Sequence, residues 1–174
     1  MKKQAFTLIE LLVVVLIIGI LSAIALPQYQ KAIDKARLTQ LIVLANAANV
    51  AAEEYYLANG SYTDQWNQLS ISAPGNISGA FLTQPQQYTL QLRVKSSSGP
   101  DAVIATDARL PGMKLYFAHK STTYGAWKGG RRACYADSDN ARAVQLCRTV
   151  TGKTTRDATA GGSQDIYWFD AKSL

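Results

Sequence analysis

The sequence contains few of the side chains that build most catalytic and metal sites. Its 174 residues include one histidine, His119, and two cysteines, Cys134 and Cys147, without a Cys-x-x-Cys pair. A structural zinc site uses about four such ligands, and the sequence has no nucleotide-binding loop and no HExxH or GxSxG motif. We therefore predict no metal, no cofactor and no enzymatic activity, and we interpret His119 as a structural or exposed residue.

Charge is absent from a long stretch near the amino terminus. Leu11 to Gln30 contains 20 residues without Asp, Glu, Lys or Arg, about the length of a helix that crosses a bilayer core. Lys2 and Lys3 precede this stretch, and basic residues favour the cytoplasmic side. We expect one membrane span with a cytoplasmic amino terminus. The alternative is a secretory signal peptide cleaved near residues 22–25, but its positive segment would be unusually short.

Glu10 is a carboxylate inside otherwise apolar sequence. A charged side chain deep in lipid is costly and usually has a partner. The simpler interpretation places Glu10 near the headgroups, close to the positive start of a helix. That interpretation accounts for the acid but not for the long apolar sequence after it.

A long helix is the predicted first element. Beyond Pro27, apolar residues recur at helical spacing as far as Tyr55, and Asn59-Gly60 is typical of a left-handed helix end. A helix over residues 6–58, with about 6–30 in the membrane, would be roughly 80 Å long. No single globular core buries such a helix, so lipid or further copies must cover its apolar half.

Residues 59–174 predict a globular head of class α+β. After a loop over 61–78, alternating apolar residues predict antiparallel strands packed on the second half of the helix. A helix capped by Asp139 is predicted between the two cysteines, followed by a Gly/Thr-rich loop over 151–163. The predicted strands cover residues 87–95, 102–108, 113–119 and 166–169.

The two cysteines leave two possibilities open. They form a disulfide if the head lies outside the cytoplasm, and they remain buried thiols if it does not.

Basic residues are concentrated late in the chain. The net charge is +6, and ten Lys and Arg residues lie between Arg109 and Arg156, where Asp137 and Asp139 are the only acids. A solvated face is the simpler interpretation. Contact with nucleic acid is the alternative, with aromatic side chains stacking on bases. The candidate DNA contacts are Lys128, Arg131, Arg132 and Arg148, together with Trp127 and Tyr135.

Residues 6–15, Phe-Thr-Leu-Ile-Glu-Leu-Leu-Val-Val-Val, resemble the amino-terminal signature of type IV pilins and of type II secretion pseudopilins. Gly19, Pro27 and the aromatic-Gly-aromatic ending of the helix also match that family. The resemblance implies a leader over residues 1–5, cleavage between Ala5 and Phe6 by a prepilin peptidase, and methylation of the new amino group. Ala5 stands where the family usually has glycine.

The resemblance also implies a partner for Glu10, which would pair with the Phe6 amine of a neighbouring subunit. The implied function is a structural subunit of a type IV pilus that supports adhesion, motility or DNA uptake. Its partners would be other pilins, copies of itself, the peptidase and the inner-membrane assembly platform. Before assembly the bacterial inner membrane would hold the chain, with the head in the periplasm; the pilus itself is extracellular.

The alternative within the same resemblance is a pseudopilin in a periplasmic pseudopilus. Type IV pilins often close a carboxy-terminal loop with a disulfide, whereas major pseudopilins usually do not. A bridge from Cys134 to Cys147, closing the loop 134–147, therefore favours the pilus.

Overall fold

The computed structural model describes residues 7–94, 99–125 and 127–170, and for Thr123, Tyr124 and Lys128 it describes the backbone alone. These residues form two compact units that divide between Ala36 and Arg37. The first helix, α1, covers Leu8–Asn59 and contains Pro27. It contributes to both units.

The first unit is helical and apolar on every side. The large aliphatic side chains between Leu8 and Leu26 are 45–82% exposed. An 18-residue window of α1 has a mean hydropathy of 2.9, and none of that window is buried. A helix that is apolar all round needs an apolar surrounding, and this one is long enough to cross a bilayer.

The second unit is built on an antiparallel sheet of eight of the described strands, in the order β1-β2-β3-β4-β5-β8-β10-β9, while β6 and β7 form a separate hairpin. A second helix, α2, covers Ala141–Thr151, and a 3-10 turn covers Trp66–Gln68. The strands are β1 Asn76–Ser78, β2 Phe81–Gln84, β3 Tyr88–Arg93, β4 Ala102–Asp107, β5 Met113–Ala118, β6 Thr123–Tyr124, β7 Trp127–Lys128, β8 Arg132–Asp137, β9 Ala158–Ala160 and β10 Gln164–Trp168.

The main core of the second unit lies between the sheet and the part of α1 that follows Arg37. Side chains alternate along β3, so that Tyr88, Leu90 and Leu92 are buried and the residues between them are half-buried. The facing side of α1 is lined by alanines at helical spacing, including Ala45 and Ala48, which are fully buried. Small side chains let a helix approach a sheet closely, which is why this face packs well.

The disulfide joins β8 to α2. Cys134 and Cys147 are bonded, with their Cα atoms 5.5 Å apart, and both are fully buried. The open choice between bridge and free thiols is therefore decided in favour of the bridge, and the predicted α+β class with its carboxy-terminal disulfide loop is confirmed.

Several predicted elements are confirmed. Gly60 ends α1 in the left-handed conformation, with φ of +73°. The strands predicted over 87–95, 102–108, 113–119 and 166–169 correspond to β3, β4, β5 and β10. Lys95, at the end of the first of these, lies outside the described residues.

Other predictions about the head are wrong. The predicted loop over 61–78 ends in β1, and the predicted loop over 151–163 contains the end of α2 and all of β9. Asp139 does not cap α2. Asn140 does, because its Oδ1 accepts a 3.1 Å hydrogen bond from the Ala143 amide, while its Nδ2 donates to the Pro111 carbonyl.

Candidate assembly and binding surfaces

Glu10 closes a capping box at the start of α1. Its Oε2 accepts hydrogen bonds from the Thr7 amide at 2.9 Å and from the Thr7 hydroxyl at 2.7 Å, and the Thr7 hydroxyl accepts from the Glu10 amide at 3.3 Å. A Thr-x-x-Glu box of this kind satisfies amides that have no partner within the helix. Glu10 thus has a local structural role besides the intersubunit pairing that the family resemblance implies. Ala5 and Phe6 lie outside the described residues.

An apolar stripe remains uncovered on α1 within the second unit. Val43, Val50 and Leu57 recur every seventh residue and are 63%, 48% and 83% exposed, with Ala47 exposed between the first two. Residues with this spacing share one face of a helix. Exposed valines and leucine in one row form a surface suited to packing against another apolar surface.

Only part of the basic set is brought together. Arg131 and Arg132 line one groove with Lys153, Asp157 and Trp168. Arg148 is on α2 and does not line that groove, and the side chain of Lys128 is not described. The proposed nucleic-acid contact with these four basic residues therefore stays a prediction.

Both arginines of this groove lie over aromatic rings. The Arg131 guanidinium carbon is 5.0 Å from the centre of the Trp168 ring, and that of Arg132 is 5.4 Å from the centre of Phe117. Burial lowers the pKa of Arg132. Gly129 shapes the groove, because a Cβ there would lie 1.8 Å from the Lys120 carbonyl oxygen.

Four aromatic side chains, Tyr116, Trp127, Tyr135 and Trp168, form a cluster on the sheet. Tyr116 and Tyr135 have ring centres 4.4 Å apart, Trp127 and Tyr135 are stacked at 6.3 Å, and Trp127 meets Trp168 edge-on at 4.7 Å. Trp127 and Tyr135 are among the candidate contacts predicted from the sequence, whereas Tyr116 and Trp168 are not. The sequence does show aromatic residues in several predicted strands. Only the order of the strands in the sheet shows that these aromatic side chains contact one another.

His119 belongs to a buried junction, as the structural interpretation predicted. Its side chain is 1% exposed, its Nδ1 lies 3.0 Å from Asn49 Oδ1, and its ring stacks on Tyr62 at 4.1 Å. Glu53 completes the junction by accepting hydrogen bonds from the Tyr62 hydroxyl and the Lys120 amide. Burial lowers the pKa of His119 to about 4, against the opposing effect of the Glu53 and Asp101 charges.

Comparison with known proteins gives one coherent result. The model of the prokaryotic N-terminal methylation motif matches residues 1–26. The type IV major pilin protein PilE1 of Neisseria gonorrhoeae is 37% identical over 141 residues, which are 79% of this chain and 81% of that protein. The fimbrial protein EcpC of Eikenella corrodens is 32% identical over 155 residues, covering 87% and 95% of the two chains. A fimbrial protein of Pseudomonas aeruginosa is 50% identical over 58 residues, 33% and 38% of the two chains.

Proposed function

The chain belongs to the type IV pilin family, and we propose that it serves as a structural subunit of a type IV pilus. The observation that carries this proposal is the uncovered apolar helix between Leu8 and Leu26, combined with similarity to pilins over most of the chain. Such a helix needs lipid before assembly and other helices afterwards. The family is structural, and the proposal requires no catalysis by this chain.

The precursor is proposed to reach the filament through the inner membrane. Lys2 and Lys3 stay in the cytoplasm, and the part of α1 up to about residue 30 spans the bilayer. The head folds in the periplasm, where an oxidising environment suits the disulfide. A prepilin peptidase removes residues 1–5 and methylates the amino group of Phe6. The assembly platform then adds the processed subunit to the base of the filament.

Two apolar surfaces of α1 support the assembly step. The first is the aliphatic sequence up to Leu26, and the second is the stripe of Val43, Val50 and Leu57. A further copy of the chain can cover both surfaces with the same kind of residues, so that one type of contact repeats from subunit to subunit.

Glu10 is proposed to act in assembly through its charge. Processing creates a positive amine on Phe6, and an amine that enters a bundle of apolar helices needs a counter-charge. The carboxylate of a neighbouring Glu10 supplies it, in exchange for the capping box that Glu10 forms with Thr7 in the single chain.

The charge and the capping box can be separated by mutation. Glu10→Gln keeps an oxygen that can accept from the Thr7 amide, but it has no charge. Thr7→Val keeps the charge but removes the hydroxyl of the box. We expect Glu10→Gln and Glu10→Val to insert and be processed, yet to be missing from sheared filaments, whereas Thr7→Val assembles. Glu10→Asp should be intermediate because its shorter side chain reaches the amine poorly.

The measurement is the ratio of pilin in the sheared fraction to pilin in the inner membrane, with processing checked by mass. Normal filament yield from Glu10→Gln, together with a loss in Thr7→Val, would show that Glu10 acts through the cap and not through its charge.

A further inference from the structure

An aromatic groove lies beside the hairpin β6–β7 and next to the edge strand β9. It has a volume of about 390 Å³, within the range of small-ligand sites. Its walls carry rings and neutral polar groups, and no carboxylate lines it among the described residues. Its walls include Arg93, Tyr116, Trp127, Tyr135, Gln164 and Trp168.

Arg93 gives this groove a positive charge that no described lining residue balances. Its Nε donates to the Pro100 carbonyl at 2.9 Å, and its guanidinium carbon lies 5.2 Å from the centre of the Tyr116 ring. Its Nη2 is buried without a hydrogen-bond partner among the described residues. A buried donor that lacks a partner is rare in native proteins and calls for an explanation. An anionic group in the groove would supply a counter-charge for this guanidinium, which none of the described residues that line the groove carries.

A second, basic groove continues from the first. Trp168 lines both grooves, and Arg131 covers the Trp168 ring. Arg132 stands beside it, half-buried and with a pKa lowered by burial. Arg93 therefore lies in one groove and Arg131 and Arg132 in the other, which Asp157 and Asp170 also line, both of them paired with Lys153. Arginines in both grooves suit a chain-like ligand that carries more than one negative charge.

The ring geometry favours a sugar polymer over nucleic acid. Bases bind to single-strand sites by stacking on open aromatic faces. Here Trp127 and Tyr135 are only 5% and 7% exposed and stack on each other, and Trp168 meets Trp127 edge-on. Neutral polar groups such as Gln164 and Thr159 also line the groove, and they match hydroxyl groups.

We propose that the two adjoining grooves bind an acidic polysaccharide, with its carboxylates beside Arg93 and Arg131 and its hydroxyl groups against Gln164 and Thr159. Carboxylate and guanidinium form the strongest hydrogen bonds available to such a ligand. This binding site goes beyond the role as a filament subunit and does not depend on it, because it lies within one head.

The test is calorimetric titration of the full chain in detergent micelles with oligogalacturonate. The fully methyl-esterified oligomer serves as the uncharged control, and oligothymidylate of equal length serves as the nucleic-acid arm. We expect Arg131→Gln, an exposed position, to weaken oligogalacturonate binding about tenfold, the effect of one lost charge-assisted hydrogen bond. Arg93→Gln should have a similar effect. Arg148→Gln, which removes the same charge outside the grooves, should leave the affinity unchanged.

Every result of this titration either supports or contradicts the proposed binding site. Binding of oligogalacturonate alone, with the losses confined to Arg93→Gln and Arg131→Gln, supports the proposal. Equal binding of the esterified oligomer, equal losses in Arg148→Gln, tighter binding of oligothymidylate, or no binding would each overturn it. The melting temperature of each variant is measured in parallel, and Arg131→Gln decides alone if Arg93→Gln does not fold.

Discussion

Acid should destabilise the head through His119. The ring is buried against Asn49 and Tyr62, where it can be neutral but is poorly placed to take a proton. The two groups that favour its charged form are Glu53, whose Oε1 lies 3.9 Å from His119 Nδ1, and Asp101. Their attraction does not offset burial, and the pKa falls from 6.5 to about 4.

The sign and size of the effect follow from linkage. In the unfolded chain His119 takes its proton near pH 6.5, whereas in the folded chain it does so near pH 4. The unfolded state therefore binds more protons between these values, and stability falls as the pH falls through this window. Stability from this source is complete above about pH 7.5. It decreases by about 2 kcal/mol from pH 7.5 to 5, and by about 3 kcal/mol in all by pH 4.

The assay is urea unfolding of the detergent-solubilised chain at several pH values between 7.5 and 5, followed by tryptophan fluorescence. Other groups titrate in the same window, so the comparison is with His119→Gln, which keeps a polar side chain beside Asn49 and cannot be protonated. We expect the wild-type free energy of unfolding to fall by about 2 kcal/mol more than that of the variant over this range. Parallel curves for the two proteins would refute the argument from burial.

Two further predictions concern assembly and the disulfide. Val50→Lys should leave the fold stable, because lysine favours helix more than valine does, but it should remove the chain from sheared filaments. The control variants Val50→Ala and Thr149→Lys, the second of which lies on α2, should assemble. Equal filament yield from all three variants would exclude the stripe from the interface. Replacing Cys134 and Cys147 together by Ala should lower the free energy of unfolding by about 3 kcal/mol. The measurement is urea unfolding with and without reductant. If reductant still destabilises the double variant, loss of the bridge is not the cause of the reductant effect.

The parts of the fold that sequence predicts are those with a regular pattern. Alternation in β3 and helical spacing in α1 each identify a buried face from local sequence, and Asn59-Gly60 marks a helix end by its backbone preference. The short strands β1 and β2 lack this signal, since Ile77 and Phe81 are more than 40% exposed. Turn residues around them, such as Gly75 and Gly79, favour a loop instead.

The grooves depend on pairings that local sequence does not contain. Strand β8 lies between β5 and β10, which places Tyr135 between Lys114 and Ile166. Only this order brings Tyr116 close to Trp127 and Trp168, over distances of many residues in the chain. The cap at Asn140 is missed for a similar reason, because its side chain also bonds to the distant turn at Pro111.

The most direct test of the pilus assignment is mass spectrometry of filaments sheared from the surface of cells that make this chain. We expect the chain to be a component of the filament, to begin at Phe6 with a methylated amine, and to have lost residues 1–5. Its absence from surface filaments, or an intact Met1 in the assembled material, would contradict the pilus assignment.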